Sequence, residues 1–170
     1  MRAAVVGVAL VAFVGVAGAQ PRDYASDEGA YRVKFPGAPK LVAQNAKSAV
    51  GDLTVNIATY ADSGGNVFMV SYTDFPEAAT RPANHATLFA GVRDGVKGKD
   101  GKVPGEEKTI EFGQSKLPGR EFTIEKGKQR IRYRVVLSGN RMYQVAAIGT
   151  ETFATGKEGT AFFDSFQITK

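Results

Sequence analysis

Four groups of residues in this chain have types and spacings that could do chemistry. His85 is the single imidazole and lies three and four residues before Leu88 and Phe89. An imidazole can serve as a general base or a metal ligand, but nothing here can join it. The 170 residues include no cysteine and no second histidine. A zinc finger, an iron–sulfur site, a cysteine nucleophile, a disulfide framework and a histidine-rich metal cluster are all excluded. His85 therefore reads as a packed or boundary histidine with one hydrogen bond.

Arg130, Arg132 and Arg134 alternate along one face of a strand. Three guanidiniums in a row could hold a phosphate, a sulfated glycan or an acidic partner. Opposite them fall Glu121 and Glu125, which suggests a solvated face whose charges cancel. Exposed pairs of that kind contribute only ~0–1 kcal/mol each. These three arginines are the candidate surface-binding residues. The residues nominate no catalytic group, no cofactor site and no metal site.

Residues 98–105 (Gly-Lys-Asp-Gly-Lys-Val-Pro-Gly) read as a flexible loop after a helix, and the phosphate-loop reading they invite fails in detail. Five residues separate Gly95 from Gly101-Lys102 where the motif needs about four, and Val103 stands where a Ser or Thr would hold magnesium. Asp94 and Asp100 lack the alternating oxygen ligands of a calcium loop. Glu106 and Glu107 are adjacent, so on a strand they point to opposite faces and cannot act as an acid–base pair. No G-x-S-x-G nucleophile elbow is present. The 11 Phe and 6 Tyr fall mostly at core positions, and the alternative for them is an apolar ligand cavity.

The composition bounds what could position such groups. A length of 170 residues allows one domain. The 22 basic and 17 acidic side chains give a formal charge of +5, and the charges are interspersed rather than blocked, unlike a nucleic-acid-binding tail. After Met1-Arg2, residues 3–19 are all Ala, Val, Gly, Leu or Phe and end in Ala17-Gly18-Ala19. One positive charge, a short apolar run and a small-x-small site are the parts of a secretory signal peptide. The competing reading, a membrane anchor, sits at the bottom of the spanning length. Cleavage would leave a chain starting at Gln20 with no cysteine to lipidate and no stable membrane anchor. Residues 1–19 are thus the expected signal peptide, 20–29 a flexible polar segment and 30–170 a single domain. The expected location is exported, periplasmic or extracellular.

Within that domain Tyr31-Arg32-Val33-Lys34-Phe35 alternates strictly and reads as a half-buried strand, stopped by Pro36-Gly37-Ala38-Pro39. Residues 41–50, 53–57 and 67–75 read as further strands, with Ser63-Gly64-Gly65-Asn66 as a turn. Residues 77–97 change period: Leu88, Phe89, Val92 and Val96 form one helical stripe. Strands resume at 108–112. Residues 120–126 and 129–137 flank Gly127-Lys128 as a hairpin. With Lys126 opposite Gln129, Glu125 faces Arg130, Ile124 faces Ile131, Thr123 faces Arg132, Phe122 faces Tyr133 and Glu121 faces Arg134. Apolar meets apolar and acid meets base in a single register. A second hairpin turns at Gly139-Asn140 into residues 142–148. Thr155-Gly156-Lys157-Glu158 has the form of a capping box opening a last helix with Ala161, Phe162, Phe163 and Phe166 on one face, and a short strand at 167–169 is possible. The order is β-β-β-β-α-β-β-β-β-α: an α+β fold, an antiparallel sheet flanked by two main helices. On these faces Glu121→Arg should cost little, whereas Phe122→Ala should cost ~3–5 kcal/mol.

Four strings, Tyr31-Arg32-Val33-Lys34-Phe35-Pro36-Gly37-Ala38-Pro39, Leu117-Pro118-Gly119-Arg120-Glu121-Phe122, Asn140-Arg141-Met142-Tyr143-Gln144-Val145 and Phe162-Phe163-Asp164-Ser165-Phe166, together resemble small exported bacterial domains of the PsbP-like, Mog-type superfamily. The resemblance spans most of residues 24–169. It implies an α/β/α sandwich and carries over no catalytic residue. Members of that superfamily mostly act as binding or assembly factors. The expected function is therefore that of an exported, non-enzymatic binding or assembly module acting on another envelope protein, with no nucleic acid and no cofactor. The alternative is a small-molecule or lipid carrier with an apolar cavity between helix and sheet.

Overall fold

A computed structural model describes residues 21–48 and 50–169. The expected signal peptide, residues 1–19, lies outside the described residues. Thirteen elements follow in order: β1 (Arg22–Ser26), β2 (Tyr31–Phe35), β3 (Lys40–Ser48), β4 (Gly51–Ala61), β5 (Val67–Asp74), α1 (His85–Lys97), β6 (Lys108–Phe112), β7 (Leu117–Lys126), β8 (Gln129–Ser138), β9 (Arg141–Gly149), α2 (Glu151–Thr155), α3 (Lys157–Ser165) and β10 (Gln167–Ile168). A seven-stranded sheet runs β3-β4-β5-β9-β8-β7-β6, and a three-stranded sheet runs β1-β2-β10. All pairings are antiparallel.

The β7–β8 hairpin has the register read from its side chains, from Lys126↔Gln129 through Glu121↔Arg134. Gly127 turns it at φ 57°, a conformation that side chains with a Cβ adopt poorly. Alternation along the central strands splits the large sheet into two apolar faces. Phe68, Val70, Tyr143, Val145 and Ala147 face the small sheet and the helices α2 and α3, meeting Val33, Phe35, Phe153, Phe162 and Phe163. Phe122, Ile124, Tyr133, Val135 and Ala146 face α1 and surround Phe89. Leu88, Val92 and Val96 flank Phe89 there, so the helical stripe packs as its spacing requires. Burying one such aromatic or aliphatic side chain is worth ~1.5–3 kcal/mol before entropy.

Four expectations change. Within the segment expected to be flexible, residues 22–26 form β1, which pairs with β2 from Arg22↔Phe35 to Ser26↔Tyr31. Tyr24 packs its ring against Phe35 at 5.8 Å, and that apolar contact holds a segment whose composition looks polar. Helix α1 starts at His85, after two short 3₁₀ turns at Glu77–Thr80 and Pro82–Asn84, because Pro82 is tolerated at a helix start and not inside one. The second helix is two pieces. Thr150 caps α2 by accepting from the Phe153 amide at 3.2 Å, and the chain breaks at Gly156 before α3. The expected capping box does not form, since the Thr155 hydroxyl already donates to the Glu151 carbonyl at 2.8 Å. Finally, the loop at 98–105 is docked on β7: Lys102 and Glu125 exchange backbone hydrogen bonds of 2.9 and 2.8 Å.

Candidate functional site

A cavity of about 550 Å³ opens where the end of β2, the β4–β5 turn and the first turn of α3 converge. Its floor is aromatic. The Phe68 ring lies 4.4 Å from that of Phe162 and 4.7 Å from that of Phe153, while Phe35 backs Phe162 at 5.3 Å. Pro21, Pro36, Tyr60 and Ala161 form the apolar walls, and Lys34, Asp62, Asn66, Lys157 and Glu158 supply polar groups.

Local sequence explains why the space exists. A Cβ on Gly37 would sit 2.5 Å from the Tyr60 ring, so only glycine lets that ring stand as a wall. At Gly149 an added Cβ would overlap Asn66 Oδ1 and lie 2.9 Å from the Phe153 ring edge. The β4–β5 turn is fixed by Asp62, whose carboxylate accepts from the amides of Gly64 (2.8 Å) and Asn66 (2.9 Å) and from the Asn66 side chain (2.8 Å). The Asn66 side-chain bond is the main reason the Asp62 carboxyl is held below the usual carboxylate range. The Lys34 backbone amide donates to Ser165 Oγ at 3.0 Å, tying β2 to α3 beside the cavity. This arrangement can enclose an apolar or aromatic group and meet a polar end at the rim. Among the described residues Tyr60 supplies its one phenol, Lys34 and Lys157 its amines, and Asp62 and Glu158 its carboxylates.

Arg130, Arg132 and Arg134 lie elsewhere, beneath α2 and α3. Their side chains are 17%, 19% and 12% exposed, so the solvated strand face expected from their spacing is instead a covered one. Arg134 donates to Glu121 at 2.6 Å and to the Phe163 carbonyl at 2.9 Å. Arg132 stacks 4.4 Å over the Phe163 ring and donates to Thr160 at 3.1 Å. Arg130 reaches Glu125 at 2.9 Å and Glu151 at 2.7 Å. The row clamps the helices to the sheet. Strand alternation revealed that the arginines share a face; it could not reveal that helices 20–30 residues later would cover it.

Comparison with known proteins then bears on the whole arrangement. No family model matches the chain, and no curated protein matches it. Among solved structures, the solution structure of cyanobacterial PsbP (CyanoP) from Synechocystis sp. PCC 6803 aligns over 94% of this chain and 98% of that one, with TM-score 0.55 and 13% identity. The chain has a PsbP-like fold. At 13% identity the likeness is one of fold, and the cavity described above is a property of this chain's own residues.

Within this fold His85 is a boundary histidine, as its surroundings in sequence suggest: a ring nitrogen donates to the Thr80 carbonyl at 2.9 Å, and the ring sits 6.1 Å from Phe89. Glu107 does not pair with Glu106. It bridges Arg93 of α1 at 2.8 Å and Arg120 of β7 at 3.2 Å, locking helix to sheet. Among the described residues no group of three or more His, Cys, Asp or Glu is placed to hold a metal ion. The cavity residues carry no sequence motif. Their only signals are the breaker run at Pro36-Gly37 and the turn cluster at 63–66, which read simply as stops.

Proposed function

We propose that this protein is an exported, non-enzymatic binding or assembly module that acts on another envelope protein, seating an apolar or aromatic side chain of its partner in the cavity between β2, the β4–β5 turn and α3. The observation that carries this reading is the Phe68–Phe153–Phe162 floor beneath a polar rim, at about 550 Å³. Buried aromatic anchors in pockets supply most of the energy of many protein interfaces. The PsbP-like fold supports the reading. Export itself rests on the apolar segment that ends in Ala17-Gly18-Ala19.

The same volume favours a second reading, a carrier of a small apolar molecule, because ligand pockets span ~300–1,000 Å³. Native mass spectrometry of the protein purified from its own cell envelope separates the two. An added mass of a few hundred daltons supports the carrier; a complex with a second protein supports the module. Ala161→Trp fills the cavity from an exposed position on α3 and should abolish whichever complex forms. A complex that survives Ala161→Trp, or turnover of a substrate by the purified protein, would refute the assignment.

A further inference from the structure

Among the described residues strand β3 is an edge of the large sheet, hydrogen-bonded only to β4. Its nine residues are exposed except for half-buried Ala46, with Leu41 at 61% and Val42 at 41%. Residues 41–46 are uncharged, bounded by Lys40 and Lys47. The opposite edge, β6, is five residues long and carries Lys108 and Glu111, the charged and short form that discourages further pairing. The hairpin is also longer than its support. Pairing of β4 with β5 begins at Asn56, leaving Gly51–Val55 with β3 alone. A two-stranded ribbon is marginal in water by itself.

The sequence of β3 complements itself. We infer that β3 pairs antiparallel with β3 of a second copy of this chain across a two-fold axis at Gln44, extending the large sheet from one copy into the other. In that register all nine residues pair. Val42 meets Ala46, Ala43 meets Asn45, Lys40 meets Ser48 and Leu41 meets Lys47, so no lysine opposes a lysine. A slip of one residue either way would turn the second copy over, and in one direction it would also set Lys40 against Lys47. Charge agrees as well. Leu41 and Glu28 line one groove, between β3 and the small sheet. Lys47 of the second copy, arriving opposite Leu41, therefore comes to the rim of a groove that also holds the Glu28 carboxylate, and the two-fold repeats the arrangement.

The absence of cysteine from the chain makes the register directly readable. Facing residues of an antiparallel pair have Cα atoms ~4.5–5.5 Å apart, inside the ~4.4–6.8 Å range of a disulfide. Gln44→Cys should give a disulfide-linked dimer of the full-length protein on mild oxidation. Asn45→Cys, which faces Ala43 and not its own copy, should stay monomeric. Separately, Val42→Lys should weaken dimerisation in sedimentation by roughly fivefold, and adding Ala46→Glu should restore it, since the two substitutions face one another twice. Circular dichroism confirms that each variant is folded. Equal cross-linking of both cysteine variants, a folded Gln44→Cys protein that never cross-links, or a double variant as weak as Val42→Lys would overturn the inference.

Discussion

Nε of Arg134 donates to Oε1 of Glu121 at 2.6 Å, across two strands and underneath α3. The same guanidinium stands 5.1 Å over Phe163 and 5.6 Å over Phe112. Glu121 is only 20% exposed and also approaches Arg132 at 3.7 Å. A face that strand alternation marks as polar is thus an internal layer, where one carboxylate organises two cations and the helix above them.

The first prediction follows from that layer. Glu121→Arg places a third cation among two others and should cost about 3 kcal/mol, in the range for breaking a buried pair. That is comparable to Phe122→Ala, rather than negligible as an exposed pair would be. Glu121→Gln, which keeps one acceptor, should cost about 1–2 kcal/mol. Urea unfolding measures all three, and a Glu121→Arg loss under about 0.5 kcal/mol would return the face to solvent.

Acid should act through Asp74 and Asp62. The Asp74 carboxylate is gripped by the Arg141 guanidinium at 2.6 and 2.7 Å, and that bond holds its carboxyl below the ordinary value. The folded pKa is depressed, so the stabilisation is present above the unfolded pKa near ~4 and is lost as pH falls through the lower folded value. Stability measured against pH should be flat above about 5 and drop below about 4. Asp74→Asn should lower the plateau and flatten the drop. An identical acid limb in this variant would separate Asp74 from the effect.

The cavity wall depends on a missing methyl. Gly149→Ala pushes a Cβ into Asn66 and the Phe153 ring and should cost about 1–3 kcal/mol, as overpacking does. It should also shift the NMR signals of the Asn66 side-chain amide, which bonds to Asp62. Unchanged stability together with unchanged Asn66 signals would mean the wall has room to spare.

The N-terminal strand should matter to stability. Tyr24 packs its ring 6.0 Å from that of Tyr31 and 5.8 Å from that of Phe35, and Arg141 reaches back to the Glu28 carbonyl at 2.6 Å. Tyr24→Ala should cost about 2 kcal/mol through lost apolar burial. A flexible segment would lose nothing, which thermal unfolding of the variant would reveal.

Much of the scaffold is legible in the order of residues. Period-two alternation with acid facing base fixes the β7–β8 register, because a shift by one would turn every side chain of the hairpin to the wrong face. The stripe of Leu88, Phe89, Val92 and Val96 fixes the buried side of α1 for the analogous helical reason. The single histidine and the missing cysteines exclude whole classes of chemistry from composition alone. Local pattern cannot say what lies on top of a face. Whether Arg132 and Arg134 meet water or Phe163, whether residues 22–26 are a tail or a strand, and whether Phe68, Phe153 and Phe162 gather around a cavity all depend on contacts between segments distant in the chain. Those contacts are decided by packing, in which close approaches at Gly37 and Gly149 count as much as any charged or aromatic residue, and a glycine shows in sequence only as a place where the chain can turn.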